Sequence, residues 1–183
     1  MRILARTKEE VFVKKFSLAL LFMFATGLGA QLRISLPFTP VPITFQTFFV
    51  LSSGAVLGPF WGLISQILYI FFGSLGFPYF SGWSAGLRTL IGPTGGYIIG
   101  FAVASYLVGK LTEKELKLKR LYLAMVLGEV VILLSGFLWL GISLSLTPYQ
   151  AFLKGVLPFL PGDAMKILAG GLFSISISRW TRN

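Results

Sequence analysis

Cysteine and histidine are both absent from this sequence, and Asp163 is its single aspartate. These absences exclude disulfide bonds, thiolate chemistry, imidazole metal sites and histidine general bases. The chain also lacks the GxxxxGKS/T pattern of a phosphate-binding loop, so we do not expect it to hydrolyse ATP by itself. No cofactor and no metal ion is predicted.

Charged residues are scarce as well. They make up 12% of the chain, against about 25% in soluble domains. Hydrophobic residues make up 55%, and the mean hydropathy is +0.83. The net charge of +10 could suit nucleic acid, but the basic residues lie in short loops and tails between apolar runs, as they do in membrane proteins. The composition therefore predicts an all-α integral membrane protein.

The apolar runs predict six transmembrane helices in a single membrane domain over residues 1–183, with ordered external loops. The predicted helices cover residues 16–31, 43–57, 60–75, 93–111, 121–140 and 161–178. Three prolines between the first two runs predict an extended loop, and the glycine-rich residues 73–96 must line a cavity or lie outside the lipid. We expect residues 141–158 to form a looser apolar loop, and Gln66 to hold helices together.

Basic residues also predict the orientation. Five precede the first helix, five lie around the connector between the fourth and fifth helices, and two follow the last helix, out of 16 in the chain. The opposite side has only Arg33, Arg88 and Lys154, with Lys166 inside the sixth helix. By the positive-inside rule, both termini are expected in the cytoplasm and the protein in the cell membrane.

Two charges inside the last apolar run indicate a polar pocket. Asp163 and Lys166 are spaced i and i+3, so they share one helix face, and each costs about 2.5–3.5 kcal/mol within a membrane. The alternative is that Asp163 only caps the helix while Lys166 extends to the interface. Gln46 and Arg88 are expected at the same external level, which favours an outward-facing solute site.

Other candidate residues leave alternatives open. The rings of Tyr79, Phe80 and Trp83 could form the walls of this site, or they could belong to an interfacial aromatic belt with Arg88 as a positional residue. Glu129, in the fifth apolar run, is either a packing residue bonded to a neighbouring helix or a functional group.

Five segments carry a resemblance to a known family. GAQLRISLPFTPVPITFQT, VLGPFWG, GFPYFSGWSAG, GPTGGY and PGDAMK occur in this order along nearly the whole chain. They resemble the BioY family, the biotin-specific substrate-capture subunits of energy-coupling factor (ECF) transporters. The resemblance implies a six-helix S component that binds biotin from outside and works with a transmembrane coupling subunit and two cytoplasmic ATPases.

The resemblance also implies roles for individual residues. Asp163 and Lys166 would hold the ligand: Asp163 would accept hydrogen bonds from the ureido group of biotin, and Lys166 would meet its carboxylate. Gln46 and Arg88 are expected as further ligand contacts from their residue types and positions, not from the resemblance. The rings expected to enclose the ligand are those of Tyr79, Phe80, Trp83 and Tyr97. The small residues of the first helix that would dock the coupling subunit are Ala19, Ala25 and Gly29.

A membrane enzyme is the rival class of function. Without histidine or cysteine, a serine such as Ser84 activated by Lys166 is almost the only nucleophile available for hydrolysis. The neighbouring Asp163 would hold Lys166 in its charged form and make it a poor base, which favours capture over catalysis.

Overall fold

The structure, a computed structural model, describes residues 8–114 and 117–181, with side chains as far as Ser178. The α-helices in this part of the chain are α1 (Lys8–Gln31), α2 (Gln46–Leu57), α3 (Pro59–Ser74), α4 (Leu87–Ile91), α5 (Gly95–Thr112), α6 (Leu118–Ser143), α7 (Pro148–Gly155) and α8 (Leu160–Thr181). Two short strands, β1 (Arg33–Ile34) and β2 (Ile43–Thr44), lie between α1 and α2, and a 3-10 turn covers Ser81–Trp83. The chain is therefore a helical bundle with short extended segments at one end.

All six predicted helices are present, and the differences lie at their ends. The first is already helical at Lys8, the first described residue, rather than from residue 16, and its first described turn carries Glu9 and Glu10. The second begins at Gln46 rather than at residue 43, because Ile43 and Thr44 pair with β1 in an antiparallel ladder. The proline-rich segment is non-helical, as predicted, but it is extended only at its two paired ends, and the chain turns at residues 37–38 between them.

The prediction of a loop over residues 141–158 was wrong, because these residues include helix α7. Thr147 and Gln150 form a reciprocal capping box at its start: the Thr147 hydroxyl accepts from the Gln150 backbone N–H at 3.3 Å, and the Gln150 side chain accepts from the Thr147 N–H at 3.1 Å. Pro148 occupies the first helical position. The short motif TPYQ was the local signal for this helix.

Three of the described helices, α1, α5 and α6, are each long and apolar enough to cross a membrane. Helices α7 and α8 meet this criterion together, with a bend of 48° between them. Helices α2 and α3 are shorter, with 12 and 16 residues, and are joined at Gly58, whose φ of +82° favours glycine. Every residue of α2 except Phe49 is buried, so α2 is the central helix of the bundle.

Small and polar residues allow close packing around α2. A Cβ atom at Gly54 would collide with the backbone carbonyl of Ser105, so α2 and α5 lie with their backbones in contact. Gln66 donates toward the hydroxyls of Thr26 on α1 at 3.4 Å and Ser53 on α2 at 3.3 Å. These hydrogen bonds confirm the prediction that Gln66 holds helices together.

Candidate ligand-binding site

A cavity of about 470 Å³ opens at the end of the bundle where α1 ends. This volume is within the range of about 300–1,000 Å³ that is typical of small-molecule sites. Its walls come from the loops around β1, β2 and α4 and from helices α2, α3, α5, α6 and α8. Five predicted site residues line it: Gln46, Arg88, Tyr97, Asp163 and Lys166.

The first two turns of α8 bring a buried ion pair to the cavity. Lys166 Nζ donates to Asp163 Oδ1 at 2.7 Å, and the two residues are only 8% and 3% exposed. Since Lys166 is buried against Asp163, the alternative in which it extends to the interface is wrong. Asp163 lies in the positive first turn of the helix, where a carboxylate is favoured.

A second carboxyl group, that of Glu129 on α6, lines the same cavity and is 4% exposed. It lies close enough to Asp163 and Lys166 to interact electrostatically with both. Its side chain is hydrogen-bonded to the Asp163 carboxyl group, and no N–H or hydroxyl donor in the described part of the chain reaches its oxygens. The inner end of the cavity, which we call the closed end, therefore contains Glu129, Asp163 and Lys166: two carboxyl groups and one ammonium group.

Hydrogen bonds fix the polar and aromatic walls beside this cluster. Gln46, at the start of α2, donates to the Tyr69 hydroxyl at 2.6 Å and accepts from the Thr44 hydroxyl at 3.0 Å. The Tyr97 hydroxyl donates to the Gly155 carbonyl at 2.7 Å, and its ring centroid lies 6.0 Å from that of Phe159. These side chains are thus held in place before any ligand arrives.

The outer rim of the cavity, which we call the mouth, carries two guanidinium groups. Arg33 in β1 and Arg88 in α4 line the cavity and are exposed, and neither forms an ion pair with a carboxylate within residues 8–114 and 117–178. Arg33 lies directly against Gly82, where a side chain would collide with its guanidinium. In the sequence, Arg33 served only to predict the membrane orientation. Its place at the mouth depends on the pairing of β1 with β2, in which Arg33 lies opposite Thr44.

The comparisons with known proteins agree with this geometry. The model of the BioY family matches residues 4–183. The chain belongs to the BioY family. A probable biotin transporter BioY of Pyrococcus horikoshii is 42% identical over 153 residues, covering 84% of this chain and 89% of the relative. The biotin transporter BioY of Thermotoga maritima is 32% identical over 146 residues, covering 80% and 86%.

A solved structure has the same fold. The crystal structure of an S-component for biotin from an ECF-type ABC transporter superposes with a TM-score of 0.86 at 23% identity, covering 98% of this chain and 96% of that one. The all-helical S-component fold predicted from the sequence is therefore confirmed.

Three rings predicted to enclose the ligand of this BioY family member do not line the cavity. Phe80 is fully buried behind Tyr69, with ring centroids 5.5 Å apart, and Tyr79 packs outward on Phe24 at 5.8 Å. Trp83 is 66% exposed. The Gln31 side chain fixes this orientation, because it donates to the Phe80 carbonyl at 3.1 Å and accepts from the Trp83 N–H at 3.0 Å. The apolar wall instead consists of Tyr97, Ile98, Phe101, Ile132, Leu133 and Phe159.

Ala19 and Gly29, two of the three residues predicted to dock the coupling subunit, are buried inside the chain's own helix packing. Ala19 is fully buried against α2, in a cluster that includes Val56 and Leu57. A Cβ atom at Gly29 would lie 3.1 Å from the backbone of Phe45, so Gly29 faces the chain's own second helix. The prediction that these two residues contact a partner is wrong, and only the half-buried Ala25 keeps a partly accessible surface.

The arrangement does not support the alternative of a serine–lysine hydrolase. Ser84 lines the cavity, but its hydroxyl donates to the Ser81 carbonyl at 2.9 Å, and Lys166 donates to Asp163. No hydrogen bond joins Ser84 and Lys166 in the described structure, and the relatives are transporters. The named relatives of this BioY family member are biotin transporters.

Proposed function

We propose that this chain captures biotin from outside the cell as the substrate-binding subunit of an ECF-type transporter. The observation that carries the proposal is the buried Asp163–Lys166 pair at the closed end of a 470 Å³ cavity, in a member of the BioY family. Biotin has a ureido head with two N–H donors and one carbonyl, an apolar thioether ring, and a valerate tail that ends in a carboxylate. The cavity offers carboxyl groups at its closed end, an apolar wall beside them, and the guanidinium groups of Arg33 and Arg88 at its mouth.

The charges of the cavity favour one direction of binding. A ligand carboxylate at the closed end would meet two carboxyl groups, Glu129 and Asp163, and a lysine that Asp163 already holds. At the mouth it would meet the guanidinium groups of Arg33 and Arg88, which suit a carboxylate in both charge and shape. We therefore place the ureido head beside Asp163 and Lys166, and the valerate carboxylate at the two arginines. The sequence predicted Lys166 as the cation for the carboxylate, whereas this direction of binding assigns the carboxylate to Arg33 and Arg88.

The partners and the location of the protein belong to the same proposal. A transmembrane coupling subunit and two cytoplasmic ATPases would supply the energy, and the chain would cross the cell membrane with both termini in the cytoplasm. Of the basic residues behind this orientation, Arg2, Arg6 and Arg182 lie outside the described residues. The contact with the coupling subunit would include the accessible part of α1 around Ala25.

The experiment that tests capture is calorimetry of the purified chain in detergent with biotin, desthiobiotin and biotin methyl ester. We expect saturable binding of biotin and of desthiobiotin, which keeps the ureido head and the tail, and no ATP hydrolysis by the isolated chain. Failure to bind biotin would end the proposal. A turnover product, or ATP hydrolysis without partner subunits, would contradict the subunit role.

Docking of the coupling subunit is tested by Ala25→Trp on α1. The added ring should prevent assembly with the coupling subunit in pull-down experiments and leave biotin binding unchanged, because Ala25 does not line the cavity. Leu123→Trp is the matched control, since Leu123 is an exposed apolar residue of α6. Assembly that survives Ala25→Trp would place the docking surface elsewhere.

A further inference from the structure

We propose that Glu129 is a third ligand-recognition group, which accepts a hydrogen bond from one ureido N–H while Asp163 accepts from the other. This inference rests on the proposed binding of biotin. It assigns a ligand contact to a side chain on α6, the helix that faces α8 across the closed end.

In the described part of the chain, no N–H or hydroxyl donor reaches the Glu129 carboxyl group. It is 4% exposed, and its side chain is hydrogen-bonded to the Asp163 carboxyl group. Burying polar groups that are short of hydrogen bonds is costly. A ligand N–H at the inner end of the cavity would supply a hydrogen bond that the protein's own donors do not.

The protein's own hydrogen-bond donors around the closed end already have other partners. Gln46 donates to Tyr69, Tyr69 donates to the Tyr79 carbonyl at 3.3 Å, and Tyr97 donates to the Gly155 carbonyl. Lys166 donates to Asp163. Because an ammonium group has three N–H bonds, Lys166 can also donate to a ligand carbonyl.

The cluster at the closed end is complementary to the ureido group. A cyclic urea presents one carbonyl acceptor flanked by two N–H donors. Asp163 and Glu129 supply acceptors from α8 and α6, and Lys166 supplies a donor, at the same end of the cavity. These three side chains therefore match the three polar groups of the ligand head.

The test combines two variants with ligands methylated on one ureido nitrogen at a time. In calorimetry, Glu129→Gln should weaken biotin binding by about ten-fold or more, because an amide replaces the carboxyl group that is hydrogen-bonded to Asp163 and accepts from the ligand. In the wild-type protein both N-methyl isomers should bind about ten-fold or more weakly than biotin, since each loses one N–H. In Glu129→Ala, the loss caused by methylation should disappear for one isomer and remain for the other.

Ser174→Ala is the matched control. Ser174 is a buried residue of α8 whose hydroxyl has no hydrogen-bond partner among the side chains described up to Ser178, and it does not line the cavity. We expect this variant to bind biotin and both isomers as the wild type does. If both methylation losses persist unchanged in Glu129→Ala, or if Glu129→Gln binds biotin normally, Glu129 only packs beside Asp163 and the inference is overturned. A wild-type protein that fails to bind biotin at all would instead refute the proposed function.

Discussion

The same pairing of lysine with a carboxylate three residues away occurs twice in this chain, in two different environments. Lys110 and Glu113 meet at 3.0 Å at the surface, where water and salt screen them, so the pair adds little stability. Asp163 and Lys166 meet at 2.7 Å inside the bundle. Removing one partner from a buried pair costs about 3–5 kcal/mol, because the remaining charge stays without its counterion. The spacing of a lysine and a carboxylate therefore does not indicate how much their ion pair contributes to stability unless the burial of both side chains is known.

Our first prediction concerns Asp163→Asn. The change keeps the shape of the side chain but deprives Lys166 of its counterion, and it removes a charged acceptor for the ureido head. We expect the affinity for biotin to fall by about ten-fold or more, equivalent to about 1.4 kcal/mol, in calorimetry. Glu113→Gln removes the acid from the exposed pair of the same spacing and should leave binding unchanged. Normal binding by Asp163→Asn would remove the pair from the ligand site.

The second prediction separates the cations by comparing biotin with its methyl ester. Arg88→Gln should reduce the affinity for biotin by about ten-fold and change the affinity for the ester much less, because only the acid carries a charge at the mouth. Lys166→Met should weaken both ligands to a similar degree, since both keep the ureido carbonyl.

Lys154→Gln is the control for these arginine and lysine changes. Lys154 is expected on the same side of the membrane but does not line the cavity, so both ligands should bind it as they bind the wild type. If Lys166→Met weakened biotin far more than the ester, the valerate carboxylate would lie at the closed end, and the direction of binding proposed above would be reversed.

At the scale of elements, the contact between α5 and α6 sets the position of one cavity wall. The Tyr97 ring of α5 lies directly on Gly136 of α6, where a Cβ atom would collide with it. The hydroxyl of Tyr97 donates at the same time to the carbonyl of Gly155, the last residue of α7. The absence of a side chain at residue 136 therefore leaves space for the ring beside the cavity.

Our third prediction follows from this contact. Gly136→Ala should push the Tyr97 ring toward the ligand and weaken biotin binding, even though alanine favours a helix by about 1 kcal/mol over glycine. Gly141→Ala, on the same helix, is the matched control, because its nearest neighbouring atom would be 3.7 Å away. We expect that variant to gain thermal stability and bind normally. Unchanged binding by Gly136→Ala would show that the ring can move without affecting the ligand.

The positions of the helices could be predicted from the sequence better than the orientations of the rings. Helix positions follow from local apolar runs, and the inward face shared by Asp163 and Lys166 follows from helical periodicity. The orientation of Phe80 depends on Gln31, which lies 49 residues earlier in the chain, and no local pattern contains that contact. Glu129 was visible as a charge in an apolar run, but its place beside Asp163 depends on how α6 packs against α8. Sequence therefore predicted the helices and the ion pair, and missed which rings face the ligand.

At the scale of the whole molecule, the absence of cysteine offers a direct test of topology. A single introduced cysteine is the only thiol in the chain, so labelling has no background from the protein itself. Our fourth prediction is that a membrane-impermeant thiol reagent added to intact cells labels Ser35→Cys, in the exposed loop after β1. Lys114→Cys, exposed after α5, should be labelled only after the membrane is permeabilised. The opposite pattern would place the mouth in the cytoplasm.

The arginines at the mouth also affect how quickly a ligand arrives. At physiological ionic strength a charge acts over about 8 Å, so two exposed cations that have no carboxylate partner among the described residues attract an anion before it touches the protein. Groups at the closed end act only on contact and therefore govern how long the molecule stays. Raising the salt concentration should then slow association and leave the dissociation rate nearly unchanged, so that the rim helps a membrane subunit collect a scarce anion from dilute solution.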